Sequence, residues 1–100
     1  MKYPIRTPED LGLIIRAVRK NARVRRDDLA ASLKLSQQFA FDAERGKPTI
    51  QLGRVLRILN ELGIALSVEV PDDVAGTLHT IKVRAQEKAR KSTEPEVPAG

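Results

Sequence analysis

Gln37 and Gln38 stand side by side, and Phe41 follows one helical turn later. A glutamine amide carries one acceptor and two donors, which suits the N7 acceptor and N6 donor of an adenine edge. A phenyl ring has no hydrogen bond to give, yet it packs well against a thymine methyl group. The stretch closes on Arg45-Gly46-Lys47, two cations around a glycine. Two of the chain's three aromatic residues, Phe39 and Phe41, fall inside it. Each residue also has a plainer use. Paired glutamines on a helix are commonly just solvated, and a phenylalanine at helical spacing is commonly core. Phe39 is expected to cover a cleft between helices. Phe41 stays open to either role, because Ala40 and Ala43 already mark the inward face.

Other chemistries find little support. The chain has no cysteine, which removes disulfides, thiol catalysis and cysteine-ligated zinc and fits a reducing cytoplasm. The single histidine, His79, lies in a weakly patterned tail. There is no phosphate-cradling loop and no nucleophile with a base beside it. No catalytic residue, metal ligand or cofactor is expected, and an enzyme is not. No apolar run approaches the ~20 residues of a membrane span. The first residues turn acidic and helix-initiating too early for a signal peptide.

The elements that must hold this stretch can be read in order. Thr7-Pro8-Glu9-Asp10 is a helix start, with a capping hydroxyl, a proline suited to the first position and two acids at the positive end of the dipole. Leu11, Ile14, Ile15 and Val18 then mark one buried face of a helix from Pro8 to Lys20. A second helix is expected over Arg26 to Leu33, with Leu29, Ala30 and Leu33 inward. Ser36 caps a third, Gln37 to Arg45, which Gly46 ends in a left-handed turn. A fourth is expected from Ile50 to Leu62 with Leu52, Val55, Leu56, Leu59 and Leu62 on one stripe and Ile58 off it. Ala65 to Val70 alternates with period two and reads as one half-buried strand. A lone strand leaves its backbone groups unpaired, so its cheapest partner is the same strand of a second copy. Ile58, Leu62, Leu66, Val68 and Val70 would then form the seam of a homodimer. A DNA-binding-sized domain over residues 1–71 and a weakly structured or disordered tail over 72–100 follow. Leu78, Ile81, Ala85 and Ala89 could mark a loose basic helix in that tail, and residues 92–100 read as disordered.

Two short helices joined by Lys34-Leu35-Ser36, with Ala30 and Ala40 where they cross, form a helix-turn-helix signal over residues 26–45. That geometry lays the second helix in the major groove with its N-terminal residues against base edges, where Gln37 and Gln38 stand. The net charge is +5. Between Arg16 and Arg26 there are six basic residues and no acidic one, a face suited to a polyanion.

The stretch Leu11 to Ile64 resembles the Cro/C1-type (XRE) helix-turn-helix domain, and within it the HipB-like antitoxin branch. The resemblance rests on "LGLIIRAVRK", "DDLA", "LKLSQQF", "ERGKPT" and "RVLRILNELGIAL", in that order. It implies a mainly all-α, lambda-repressor-like bundle of four to five helices, with the C-terminal strand pairing across a homodimer. It implies that Ser36, Gln37, Gln38 and Phe41 face bases, and that Arg25, Arg26, Arg45 and Lys47 lie at backbone phosphates. Arg19 and Glu44 match positions that form an internal ion pair in that family. Three positions depart from the pattern: Arg25 stands where a capping Thr or Ser is usual, Phe41 where a small polar residue is, and Ala40 where a larger aliphatic is. A missing cap costs roughly 1 kcal/mol.

The function so implied is a sequence-specific repressor of double-stranded operator DNA. It would also be the antitoxin of a HipA-like serine/threonine kinase toxin, autoregulating its operon in a bacterial or archaeal cytoplasm, at the nucleoid. A stand-alone regulator without a toxin is the alternative. Single-strand RNA binding would need an exposed aromatic platform that the sequence lacks.

Overall fold

Thr7 does close the first helix start. Its side-chain oxygen accepts from the Asp10 N–H at 3.1 Å, and the Asp10 carboxylate accepts from the Thr7 N–H at 3.2 Å. The computed structural model describes residues 1–93, with helices α1 (Pro8–Asn21), α2 (Arg26–Ser32), α3 (Gln37–Arg45) and α4 (Leu52–Glu61), a 3-10 turn at Asp72–Val74, and α5 (Ala75–Thr93). They fall into two units, residues 1–66 and 67–100.

In the first unit, Ile15 from α1, Leu29 from α2, Ala43 from α3, and Val55, Ile58 and Leu59 from α4 make the buried centre. Burying an aliphatic side chain of this kind contributes roughly 1.5–3 kcal/mol. Leu11, Val24, Leu33, Leu35, Phe39, Ile50, Leu62 and Ile64 close its margin. At Gly12 α1 meets α3 so closely that an added Cβ would lie 2.8 Å from the Ala43 carbonyl oxygen, so a glycine is required there. Ala30 and Ala40, each 2% exposed, let α2 and α3 cross.

One device ends all four helices of this unit. A residue with positive φ follows each: Arg23 at 59°, Lys34 at 56°, Gly46 at 77° and Gly63 at 72°. The next residue's N–H then turns back to a carbonyl five positions earlier: Val24 to Arg19 at 3.1 Å, Leu35 to Ala30 at 2.9 Å, Lys47 to Asp42 at 3.0 Å and Ile64 to Leu59 at 2.8 Å. This is the Schellman arrangement, and three of the four returning residues are apolar and pack on the core. Arg57 of α4 adds a 2.6 Å hydrogen bond to the Leu33 carbonyl at the end of α2, steadying the turn before α3.

Several expectations need correction. The expected strand Ala65–Val70 is absent: no strand occurs among the described residues, and this segment is neither helix nor sheet. Strand character depends on a hydrogen-bonded neighbour, and none is supplied among the described residues. The face of α4 is also rotated from the expected one. Its inward residues are Val55, Ile58, Leu59 and Leu62, while Leu52 and Leu56 are 60% and 42% exposed. Ile58, at 1% exposure, is at the centre of its own chain's core and is not available to a dimer seam. Leu62 is half-buried against the same core, whereas Leu66, Val68 and Val70 are exposed.

In the second unit, residues 75–93 are a helix, although its sequence is only weakly amphipathic. Leu78 and Ile81 are exposed on it. Of the segment expected to be disordered, Ser92 and Thr93 end α5, and 94–100 lie outside the described residues.

Candidate nucleic-acid interface

Helix α3 is held by small residues on one side and open on the other. Ala40 and Ala43 are buried, and Ser36, Gln37, Gln38, Phe41, Arg45 and Lys47 are exposed. Ser36 stands at the N-terminus, where its hydroxyl accepts from the Phe39 N–H at 3.0 Å. That bond uses the oxygen as an acceptor and leaves the hydroxyl proton free to donate. Phe39 is half-buried against the core, with the Arg54 guanidinium of α4 5.7 Å from its ring centre.

Phe41 is 44% exposed and is flanked by two guanidinium groups, Arg26 at 5.1 Å and Arg45 at 5.8 Å from the ring centre. Cations over an aromatic face contribute about 0.5–1 kcal/mol each at exposed sites. Here they also fix the ring and the two cations as one group. Arg16 joins them around a shallow concavity beside Glu44. Arg25 precedes α2 without capping it, as its side chain makes no cap hydrogen bond. It lies 3.7 Å from Asp27 and is exposed.

Beneath this surface, Arg19 and Glu44 form a two-pronged buried pair. Arg19 Nε donates to Glu44 Oε2 at 2.7 Å and Nη2 to Oε1 at 2.9 Å, while Nη1 donates to the Val24 carbonyl at 2.9 Å. The hydrogen bonding that the Arg19 guanidinium donates to Glu44 is the main cause of a raised Arg19 pKa. The same carboxylate lies 3.9 Å from Arg26, so one acid braces α1 against α3 and also faces a surface cation.

An acid on the outward helix is unexpected beside a polyanion, and its surroundings explain it. Asp42 is only 7% exposed. Its Oδ1 accepts from Arg45 Nε at 2.9 Å and from Gln38 Nε2 at 3.0 Å, and its Oδ2 lies 3.7 Å from Lys47 Nζ. The Arg45 hydrogen bond foremost, with Gln38 and Lys47 after it, holds the carboxyl below the usual carboxylate range. The spacing of Gln38, Asp42 and Arg45 carries the signal for this cluster, since residues three and four apart meet on a helix. Gly12 and Arg57 are further supports that no motif in the sequence singles out.

No family model matches the chain. The uncharacterised HTH-type transcriptional regulator y4mF of Sinorhizobium fredii is 41% identical over 73 residues, which is 73% of this chain and 96% of that protein. HipB in its O4 20mer complex aligns with a TM-score of 0.64 at 18% identity, covering 71% of this chain and all of that one. A HipB variant in an O2 20mer complex aligns at 0.65 and 18% identity, over 72% of this chain and all of that one. At that identity the HipB likeness is one of fold. The chain thus belongs to the HTH-type transcriptional regulators, with the fold of HipB.

Proposed function

We propose that the chain is a sequence-specific repressor that binds double-stranded operator DNA through α3. The observation that carries this reading is the outward side of α3. Two glutamines and a fixed aromatic ring stand at its open face, with Arg26, Arg45 and Lys47 around them. The HipB 20mer complexes, whose fold the chain shares over 71% and 72% of its length, support DNA as the ligand. Selection of a preferred site from a random duplex pool, followed by binding of variants, tests it. Gln38→Ala should lose about 1–3 kcal/mol on the selected site and little on random DNA. Lys47→Ala should weaken both alike. Equal losses on both kinds of DNA for Gln38→Ala would remove base reading from this residue.

The proposed working form is a cytoplasmic homodimer, because such domains read two half-sites about one helical turn apart. Exposed Leu66, Val68 and Val70, on a segment that forms no strand among the described residues, support a second copy as its neighbour. Val68→Pro removes a donor from the middle of that segment and should give monomers with their helices intact by circular dichroism. Light scattering that still reports dimers would put the interface elsewhere. The proposed protein partner is a HipA-like serine/threonine kinase toxin, with the chain as its antitoxin. The HipB fold and the exposed apolar residues of α5 support this reading over a stand-alone regulator. Capture from the native host should recover a kinase. Recovery of the chain with DNA alone would favour the stand-alone regulator.

A further inference from the structure

The Asp42 carboxylate is the hub of three DNA-facing side chains, and the bond it makes to Gln38 limits what that amide can offer. A free glutamine amide has two N–H donors and one carbonyl acceptor. With one N–H committed to Asp42 Oδ1 at 3.0 Å, Gln38 keeps one donor and its Oε1. Turning the amide over would set Oε1 against a carboxylate oxygen, so the orientation is fixed as well. Adenine presents one acceptor and one donor in the major groove and matches what remains. Guanine presents two acceptors, N7 and O6, and would need both N–H groups. The carboxylate is itself held: Arg45 Nε bonds the same oxygen at 2.9 Å, and Lys47 stands by the other at 3.7 Å.

We propose that Asp42 is a positioning residue for base readout, which makes Gln38 select adenine over guanine by occupying one of its two amide donors. This rests on the reading of α3 as the DNA-contacting helix. It further predicts that Asp42 lowers affinity for DNA in general, since it adds negative charge beside phosphates, in exchange for selectivity.

The test compares the full-length wild-type chain with Asp42→Ala, Asp42→Asn, Gln38→Ala and the double variant Gln38→Ala/Asp42→Ala. Binding is measured on the selected duplex, on that duplex with the contacted A·T pair changed to G·C, and on random duplex. Asp42→Ala should reduce the adenine-over-guanine ratio about five- to tenfold. Its affinity for random duplex should rise about two- to threefold as a negative charge is lost. Asp42→Asn, whose amide oxygen still accepts from Gln38, should retain most of the ratio and still gain on random duplex. In the Gln38→Ala background the Asp42 change should leave the ratio unmoved. A folding defect would lower binding to all three duplexes together, and the Asn variant reports on the bond where the Ala variant does not fold. An unchanged ratio in folded Asp42→Ala, or an equal fall with and without Gln38, overturns the proposal. A wild-type chain that selects no sequence at all would instead refute the DNA reading beneath it.

Discussion

Arg19 and Glu44 are both charged and both withdrawn from water, so each depends on the other for its charge to be tolerated. Their side chains are 9% and 4% exposed. Removing one member leaves an uncompensated buried charge, and Arg19→Ala should cost about 3–5 kcal/mol. Arg23→Ala, on an exposed turn, should stay within about 0.5 kcal/mol. Urea midpoints of the two variants make the comparison, and matching values would show that the pair does not brace the fold. Asp42 gives a prediction in pH. Its carboxyl is held below the usual range by Arg45. A depressed carboxylate lends stability that is full above the unfolded pKa of about 3.9 and is lost as pH falls through the lower folded value. The midpoint advantage of wild type over Asp42→Asn should therefore be complete at neutral pH and shrink below about pH 4. An advantage that grows on acidification would contradict this assignment.

At the scale of the helix, the four repeated ends differ in how well their residues suit a left-handed turn. Glycine adopts positive φ without strain, whereas Arg23 and Lys34 carry a Cβ that crowds the following carbonyl. Lys34→Gly should therefore stabilise by about 0.5 kcal/mol, the relief of strain exceeding the added unfolded-chain entropy. Gly46→Ala should destabilise by roughly 1–3 kcal/mol. There the new Cβ would also meet the Glu9 backbone at 2.5 Å, loosening the contact of α3 with the start of α1. Thermal melts of both variants decide the signs. These ends also mark what was legible. Gly46 announces its turn by residue type, but Arg23 and Lys34 do not, and their turns appear only in the backbone. Helix α4 was misread for a related reason. Apolar residues stand at 52, 55, 56, 58, 59 and 62, which fits more than one stripe. Only packing against Ile15 and Leu29 selects the face containing Ile58. Helix α3, with alanines inward and capped by Ser36 and Gly46, has one consistent face and was legible at both ends.

At the scale of the whole molecule, the charge of residues 1–71 carries all the net excess, while residues 72–100 hold equal numbers of acids and bases. Duplex binding should thus be strongly salt-dependent, with roughly four to eight phosphate contacts in the proposed dimer giving a log–log slope of roughly −4 to −7. A slope near zero in a salt titration would take the basic face out of binding. Truncation after Pro71 should leave half-site affinity nearly unchanged and reduce binding to the kinase partner proposed above. Full neutralisation by the truncated chain would move that contact to the helical body. The outline of the site was readable because its exposed members sit next to one another in sequence. Its supports were not readable from local spacing: the Arg19–Glu44 pair was implied by the family resemblance alone and the bond from Arg57 to the Leu33 carbonyl by nothing, because they span 25 and 24 positions. Spacing rules within one helix do not span such distances.

The attachment of α3 by its inward side, through Ala40, Ala43 and the Glu44–Arg19 pair, separates what the helix recognises from what keeps it folded. Gln37 and Phe41 contribute nothing to the buried centre, so a lineage can exchange them without crossing a stability threshold. A duplicated copy could part from its parent by changes at these two exposed positions and acquire a new address on the chromosome. Gln38 is less free to drift. Its change strands a carboxylate bond, so substitutions there should arise together with one at Asp42, as a linked pair rather than singly.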